Sequence, residues 1–167
     1  MGTLFVAGGM ENMSQAPYLL PKARDGYRLG HGQVVDSLIT DGLWDPYNNL
    51  HMGNCAEKCA AEYSFTREQQ DAFAIASFQR ANAAQKDGRF VAEITPVEIA
   101  DAKGNTTKVE HDEGPAKVKY DKIPQLKPAF QKDGTITPAN ASSINDGAAV
   151  LVVTTAAHAA AQGLKPI

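Results

Sequence analysis

Two short runs of apolar residues, one near each end of the chain, predict the strands of a sheet. Residues 4–7 run into Gly8 and Gly9, and residues 148–153 follow a polar, turn-forming segment. Near-continuous apolar runs are typical of strands with both faces covered. We therefore expect a buried first strand that ends at the two glycines, and a second buried strand that pairs with it or with further strands.

Between these runs the hydrophobic pattern becomes helical. Apolar residues recur at i, i+3, i+4, i+7, i+8 and i+11 from Met52 onward. This spacing predicts one buried helix face, made of Met52, Cys55, Ala56, Cys59, Ala60 and Tyr63. A second helix is predicted from the capping box that begins at Thr66, and we expect it to end near Lys86, before Asp87 and Gly88.

Three shorter patterns complete the expected fold. Residues 34–40 predict a short helix that stops at Asp41, and a closing helix is predicted between Thr155 and Gly163. A hairpin is predicted from strands at 93–100 and 106–110. Together with the two end strands, these elements predict an α/β fold class.

The composition is that of a globular chain. Of the 167 residues, 43% are hydrophobic and 21% are charged, and the net charge is −3. This acidic balance argues against a general nucleic-acid surface. No apolar run approaches the roughly 20 residues that span a bilayer, and the first residues lack the features of a signal peptide. We therefore expect no nucleic-acid partner and no membrane segment.

The cysteines invite a metal-site hypothesis. Cys55 and Cys59 lie four residues apart, a spacing that gives no disulfide framework and is typical of a reducing compartment. With His51 they have the spacing of zinc ligands, but His31 or His111 would have to supply the fourth ligand from a distant loop. Because free cysteines are among the most buried residue types, we interpret both as core residues and expect no metal.

Positive charge is concentrated in one segment, at Lys117, Lys119, Lys122, Lys127 and Lys132. Lysine suits exposed phosphates, and Ala129 and Phe130 in the same segment offer a flat apolar surface for an adenine ring. A nucleotide-containing ligand and an ordinary solvated loop both remain open. The polar residues 140–147 before the last strand are likewise either a ligand site or a decorated turn.

Four motifs carry a family resemblance. They are residues 8–14 (Gly-Gly-Met-Glu-Asn-Met-Ser), 51–57 (His-Met-Gly-x-x-Ala-Glu), 66–71 (Thr-Arg-Glu-Gln-Gln-Asp) and 140–148 (Asn-Ala-Ser-x-x-Asn-Asp-Gly-Ala). In these motifs and their order the chain resembles the thiolase family, most closely its short-chain acetoacetyl-CoA thiolases. The resemblance implies a partial thiolase fold, in which strands of an N-terminal layered α/β domain are interrupted by a long mixed α/β loop domain.

The resemblance also implies domain boundaries. Residues 1–13 and 136–167 would belong to the N-terminal thiolase domain. Residues 14–135 would form the loop domain, which in the family binds coenzyme A (CoA) and carries oligomer contacts. The implied partners are therefore CoA thioesters and further copies of the chain, in a dimer or tetramer.

The family's reaction interconverts two acetyl-CoA with acetoacetyl-CoA plus CoA through an acetyl-cysteine intermediate. No covalently bound cofactor is implied. The family's nucleophilic cysteine, its activating histidine and its second cysteine have no match among the 167 residues, so we expect this chain to resemble an interior fragment and to be inactive alone. A non-catalytic CoA-binding or scaffolding module from a truncated thiolase is the alternative.

Ten residues are implied to contact CoA. His51 and Met52 would line the pantetheine channel near the thioester, and Ser142 would hydrogen-bond the pantetheine chain, with Ala139 nearby. The other six are the phosphate and adenine contacts Lys117, Val118, Lys119 and Lys122, and the adenosine-side residues Ala129 and Phe130.

The resemblance bears on cations and on compartment as well. Phe78 stands where potassium-activated mitochondrial members have a Tyr hydroxyl, which argues against a potassium site of that type. The carbonyl groups around Pro138, Ala139 and Ala141 would bind a cation only weakly. Short-chain thiolases occur in several compartments; we expect the cytoplasm, with the mitochondrion and peroxisome as alternatives.

Overall fold

Strands and helices are mixed along the chain in the computed structural model, which describes residues 3–166. In chain order the elements are β1 (Leu4–Asn12), a 3-10 turn (Met13–Gln15), β2 (Tyr18–Leu19), β3 (Val35–Asp36), a π-helical turn (Leu38–Leu43), β4 (Trp44–Asp45), β5 (Leu50–His51), α1 (Met52–Glu62), α2 (Arg67–Lys86), β6 (Val97–Ala100), β7 (Thr106–Val109), α3 (Glu113–Ala116), a second 3-10 segment (Tyr120–Gln125), β8 (Asp146–Thr154) and α4 (Ala156–Ala161). This content confirms the predicted mixed α/β class.

The chain divides into two units. The first comprises the residues up to Asn49 and those from Ser143 onward, and the second is Leu50–Ser142. The thiolase domain boundaries proposed from the sequence, 1–13, 14–135 and 136–167, stay a prediction. Within the described part of the chain, none of the helices has both the length and the apolar character needed to cross a membrane.

In the first unit, β1 and β8 pair with each other. They form an antiparallel ribbon from Leu4 opposite Thr154 to Asn12 opposite Asp146. The prediction that the first strand ends at its two glycines was wrong, because β1 continues through both. Gly8 lies where the strands approach closely: a Cβ there would be 2.5 Å from the carbonyl oxygen of Ala149.

The predicted burial of the two end strands was also wrong. Every residue of β1 is exposed, and so is every residue of β8 except its last. Val6 is 71% exposed and Val150 67% exposed. The physical reason is that, within residues 3–166, this sheet contains two strands. A two-stranded ribbon leaves both faces open unless other elements cover them.

The short helix predicted at residues 34–40 was wrong in type and position. β3 pairs with β2, and a π-helical turn follows at Leu38–Leu43. Asp36 is extended as the last residue of β3, and its Oδ1 accepts a hydrogen bond from the Leu38 N–H at 2.9 Å. This is the bond of an N-cap residue, so the helical turn begins after Asp36 and not at residue 34.

A hydrogen-bonded carboxylate joins the first 3-10 turn to the start of β8. The N–H and hydroxyl of Ser14 donate to Asp146 at 2.9 Å and 2.5 Å. These bonds, the hydroxyl bond first, hold the pKa of Asp146 below its usual value. At the end of β8 the predicted closing helix is confirmed as α4, with the Thr155 hydroxyl accepting from the His158 N–H at 3.2 Å.

The two long helices of the second unit are confirmed. At the start of α2, the Thr66 hydroxyl accepts from the Gln69 N–H at 3.2 Å, and the Gln69 side chain accepts from the Thr66 N–H at 2.9 Å. The helix ends at Lys86, and Gly88 follows with a φ of +68°. A positive φ of this kind favours glycine at a helix end.

The predicted buried face of α1 needs correction. Gly53, Glu57 and Ala60 are buried in that helix. Cys59 is exposed and Cys55 is half-buried, so the prediction that both cysteines are core residues was wrong. The buried face of α1 therefore differs from its apolar stripe. It includes Glu57 because the carboxylate accepts hydrogen bonds from the Thr135 and Ile136 N–H groups.

The predicted hairpin is confirmed as β6 and β7, which pair from Val97 opposite Val109 to Ala100 opposite Thr106. Its first strand begins directly after Pro96. Asp101 organises the turn by accepting from the N–H groups of Lys103 and Asn105, both at 2.8 Å. A hydrogen bond from the Asn105 side chain is the largest cause of the lowered pKa of Asp101, and these backbone bonds lower it further.

Candidate functional site

All ten residues implied to contact CoA lie in the second unit, Leu50–Ser142. They fall on three parts of it: the start of α1, the segment that includes α3 and the second 3-10 segment, and the loop that follows it. The structure brings some of them into direct contact. The members of this set are His51, Met52, Lys117, Val118, Lys119, Lys122, Ala129, Phe130, Ala139 and Ser142.

His51 and Phe130 are in direct ring contact. Their rings stack with centroids 5.0 Å apart and an angle of 30° between planes. Gly53 makes room for this pair, since a Cβ on Gly53 would lie 2.3 Å from the Phe130 ring. The Asn54 side chain also donates to the Phe130 carbonyl at 3.3 Å. The start of α1 is therefore packed against a residue 79 positions later in the chain.

The His51 side chain also caps α1. Its Nδ1 accepts a hydrogen bond from the Gly53 N–H at 3.0 Å. A neutral imidazole that accepts at Nδ1 carries its proton on Nε2, which is then a donor. Met52, beside it, is 39% exposed, so its flexible apolar side chain remains accessible.

A loop at residues 135–141 leads to Ser142 and is held by the carboxylate of Glu57. The Thr135 N–H donates to both Glu57 oxygens at 3.0 Å and 2.9 Å, and the Ile136 N–H donates to Oε1 at 2.9 Å. The Thr135 hydroxyl adds a bond of 3.2 Å to Oε2. Glu57 is only 4% exposed, so this is a buried charge that is fully hydrogen-bonded.

A second set of bonds holds the same loop through Asn140. Its Oδ1 accepts from the Thr137 N–H at 2.7 Å, and its Nδ2 donates to Asp71 and to the Thr135 carbonyl, both at 3.1 Å. Asp71 is 5% exposed and pairs with Arg67 at 2.7 Å. The Arg67 side chain also donates to the carbonyls of Ile123 and Leu126.

The proposed ligand residues on this side of the site take their positions from the same loop. The Ala129 N–H donates to the Ile136 carbonyl at 2.9 Å, next to Phe130. The Ala139 N–H donates to the Thr137 hydroxyl at 3.3 Å. Thr137 is fully buried, whereas Ala139 is half-buried and Ser142 is exposed. The loop thus presents accessible groups on a buried, hydrogen-bonded base.

The lysines lie on the surface of a different segment. Lys117 forms an ion pair with Glu113, and Lys122 lies 3.9 Å from the Asp121 carboxylate. The hydrogen bond from Lys117 is the main cause of the lowered pKa of Glu113. Exposed ion pairs of this kind stabilise a fold little and exchange partners readily. Lys119 precedes the second 3-10 segment, and Val118 beside it is half-buried.

The sequence motifs include four side chains whose hydrogen bonds around the loop were not predicted: Glu57, Arg67, Asp71 and Asn140. Glu57 closes the 51–57 motif but lies outside the apolar stripe predicted for α1, so its place in the motif is the one signal that could have identified it. Among residues 3–166, no group of three or more His, Cys, Asp or Glu side chains is arranged to hold a metal ion. The described part of the first unit contains a cleft of about 580 Å³ near the end of β1, which none of the ten residues lines.

Comparisons with known proteins agree with the motifs. The family model "Thiolase, N-terminal domain" matches residues 2–157. An acetyl-CoA acetyltransferase from Pseudomonas aeruginosa is 53% identical over 162 residues, which is 96% of this chain and 41% of that protein.

Solved structures give the same result. The acetyl-CoA acetyltransferase from Bacillus anthracis matches with a TM-score of 0.89 and 40% identity, over 99% of this chain and 42% of that one. The Acat5 thiolase from Ascaris suum, solved in complex with coenzyme A, matches with a TM-score of 0.85 and 44% identity, over 99% of this chain and 41% of that one.

These matches confirm the predicted thiolase fold. The chain spans 41% of the length of the Pseudomonas relative. The four motifs, the fold and a family model that covers most of the residues agree, and this chain belongs to the thiolase family.

Proposed function

We propose that this chain supplies the CoA-binding surface of an acetyl-CoA C-acetyltransferase. The reaction interconverts two acetyl-CoA with acetoacetyl-CoA plus CoA through an acetyl-cysteine intermediate. The observation that carries the proposal is the stacked His51 and Phe130 pair at the start of α1, in a chain of the thiolase family. The relatives named acetyl-CoA acetyltransferase and the Ascaris complex with coenzyme A support the substrate class.

His51 and its neighbours form the reactive end of the proposed site. With Nδ1 occupied by the helix cap, His51 offers its Nε2–H to a carbonyl oxygen of the ligand. Met52 provides an adaptable apolar wall. The resemblance assigns both Ala129 and Phe130 to the adenosine side; because the Phe130 ring lies 5.0 Å from that of His51, we instead assign Phe130 to the channel wall beside His51 and keep Ala129 toward the adenosine.

The remaining residues are assigned to the pantetheine chain, the phosphates and the adenine of CoA. We assign Ser142 to the pantetheine amides, because its side chain is exposed next to a fixed loop, and Ala139 to the neighbouring wall. Lys117, Lys119 and Lys122, with Val118, would bind the phosphates and adenine. Their exposed ammonium groups would exchange carboxylate partners for phosphate oxygens.

The chain alone is proposed to be inactive. Cys55 and Cys59 lie on one helix, half-buried and exposed respectively, and we assign neither of them the acetyl-accepting role. Homo-oligomer formation and a cytoplasmic location stay predictions from the family resemblance. No potassium site is proposed, because Phe78 has no hydroxyl.

Intact-mass spectrometry combined with a thiolysis assay on acetoacetyl-CoA tests this proposal. A pure 17.8 kDa chain is expected to bind CoA and to show no turnover. Turnover by that pure species would contradict the absence of catalytic residues. A chain that neither turns over nor binds CoA would contradict the proposed function itself.

A further inference from the structure

Three of the four family motifs meet in one hydrogen-bond network beneath the proposed site. Glu57 comes from the 51–57 motif, Arg67 and Asp71 from the 66–71 motif, and Asn140 from the 140–148 motif. Glu57 and Asn140 bond directly to the loop at residues 135–141, and Asp71 and Arg67 are linked to it through Asn140. In the proposed function none of these side chains touches the ligand. Their convergence therefore needs a separate explanation.

We propose that Glu57 is a positioning residue for CoA binding. Its carboxylate, assisted by Asp71 and Asn140, holds the loop in the conformation that presents Ala139 and Ser142 to the pantetheine chain. This inference rests on the proposed function, because it names the same ligand. It adds that affinity depends on a buried carboxylate that does not contact the ligand.

The bonding capacity of Glu57 matches what the loop needs. Two consecutive backbone N–H groups, of Thr135 and Ile136, and one hydroxyl all require acceptors on one side of the loop. An ionised carboxylate has two oxygens and accepts at both. A glutamine has only one acceptor oxygen, and its NH₂ group would face a backbone donor. With that oxygen in the Oε1 position, a glutamine would still reach both amides, but the 2.9 Å bond from the Thr135 N–H to Oε2 would become a contact between two donors.

Gly134 shows independently how closely the loop approaches this carboxylate. A Cβ at Gly134 would lie 2.1 Å from Glu57 Oε1 and 2.6 Å from its Cδ. No positive φ accompanies this glycine, so space, and not backbone conformation, accounts for the absent side chain. The loop backbone is thus fitted against the carboxylate itself.

Asn140 closes the other end of the loop. It bonds to Thr137 and Thr135 within the loop and to Asp71 outside it. Asp71 is in turn held by Arg67, which also donates to Ile123 and Leu126. The loop at residues 135–141 and the segment at residues 123–126 are therefore both attached to the start of α2, through Asp71 and Arg67 respectively. Ordering both segments before binding lowers the entropy cost of holding CoA.

The test compares Glu57→Gln with two controls on the same helix. Glu62→Gln makes the same chemical change at the exposed last residue of α1. Ala60→Gly destabilises the helix at a buried position whose side chain makes no hydrogen bond. For each variant of the 167-residue chain, CoA affinity is measured by titration calorimetry under conditions in which all are folded. Amide hydrogen exchange of Thr135 and Ile136 is measured without ligand.

We expect Glu57→Gln to exchange faster at these two amides and to bind CoA about tenfold more weakly, as when only about a tenth of the molecules have a competent loop. Both controls should bind like the unsubstituted chain. Unchanged CoA affinity in Glu57→Gln, despite faster exchange, would overturn the positioning role. A loss of affinity in Ala60→Gly equal to that in Glu57→Gln would also overturn it, because general destabilisation would then suffice.

Two further arms keep the test decisive. If Glu57→Gln does not fold, Asn140→Ala applies the same measurements from the loop side, with the same expected and contradicting results. If the unsubstituted chain does not bind CoA, both the proposed function and the role of Glu57 in CoA binding are contradicted. Slow exchange at Thr135 and Ile136 in Glu57→Gln would overturn the ordering of the loop by Glu57 whether or not CoA binds.

Discussion

His51 combines two roles that different substitutions separate. Its Nδ1 caps α1, and its ring stacks on Phe130. His51→Ala removes both the cap and the ring, and is expected to lower the free energy of unfolding by about 1 kcal/mol through the lost cap. His51→Asn keeps a side-chain acceptor at the cap position, so it should restore most of that stability.

Both substitutions should weaken CoA binding, because both remove the Nε2–H and the ring. Urea unfolding gives the stability of each variant, and calorimetric titration gives its affinity. A His51→Asn variant that is as unstable as His51→Ala would show that the cap contributes nothing. A variant without the ring that still binds CoA at full affinity would remove His51 from the proposed site.

At the residue scale, the sequence predicted which positions matter better than it predicted what they do. The 51–57 motif contains both His51 and Glu57, yet Glu57 lies outside the apolar stripe of α1, so the helical periodicity predicts that it faces solvent. Its burial depends on donors at Thr135 and Ile136, which are 78 and 79 residues away. A periodicity within α1 contains no information about them, and the exposure of Cys59 was missed for the same reason.

Among the elements, the junction between the first 3-10 turn and β8 is expected to depend on pH. Bonds from Ser14 hold the pKa of Asp146 below its usual value, so the unfolded chain binds this proton more tightly than the folded chain. The bond stabilises the fold above the unfolded pKa of about 4, and its contribution is lost as the pH falls through the lower folded pKa.

Urea unfolding of the chain and of Asp146→Asn across this range measures the effect. The difference in unfolding free energy between them should be constant from about pH 7 to about pH 5 and should shrink below about pH 4. Ser14→Ala, which removes the stronger donor, should reduce the same pH dependence. If the difference in unfolding free energy does not change with pH, the hydrogen bonds from Ser14 do not stabilise the ionised form of Asp146.

Helices and strands were predicted correctly where the determining residues lie within the element itself. Predictions failed where contacts with other parts of the chain determine the structure. The capping box at Thr66 and the glycine after α2 lie within the helix's own sequence, and α2 was predicted with both ends. The helix expected at residues 34–40 failed because Val35 and Asp36 pair with β2, so the helical turn starts only after Asp36. The burial of β1 and β8 depends on neighbours that an apolar run cannot specify.

For the whole molecule, the exposed ribbon of β1 and β8 predicts self-association. Its apolar residues include Val6 and the opposite Val152, 71% and 63% exposed. Contiguous apolar surface of this kind favours association, and a lysine on an exposed strand opposes it. In sedimentation velocity, Val6→Lys should therefore associate less than the unsubstituted chain.

Leu29→Lys is the matched control, since Leu29 is fully exposed at 107% but lies outside the ribbon. It should associate like the unsubstituted chain. Equal behaviour of the two lysine variants, or a chain that is monomeric throughout, would contradict an associating ribbon.

The packing of Phe130 against α1 is the feature on which the proposed CoA site most depends. Calorimetric titration of CoA into the unsubstituted chain, Gly53→Ala and Gly114→Ala measures whether this packing forms the site. Alanine at Gly53 displaces the Phe130 ring, whereas at Gly114, also helical, the nearest atom is 3.5 Å away. We predict saturable binding that Gly53→Ala weakens roughly tenfold, or about 1.4 kcal/mol, and that Gly114→Ala leaves unchanged. No saturable binding to the unsubstituted chain, or equal affinities for the two variants, would contradict the account.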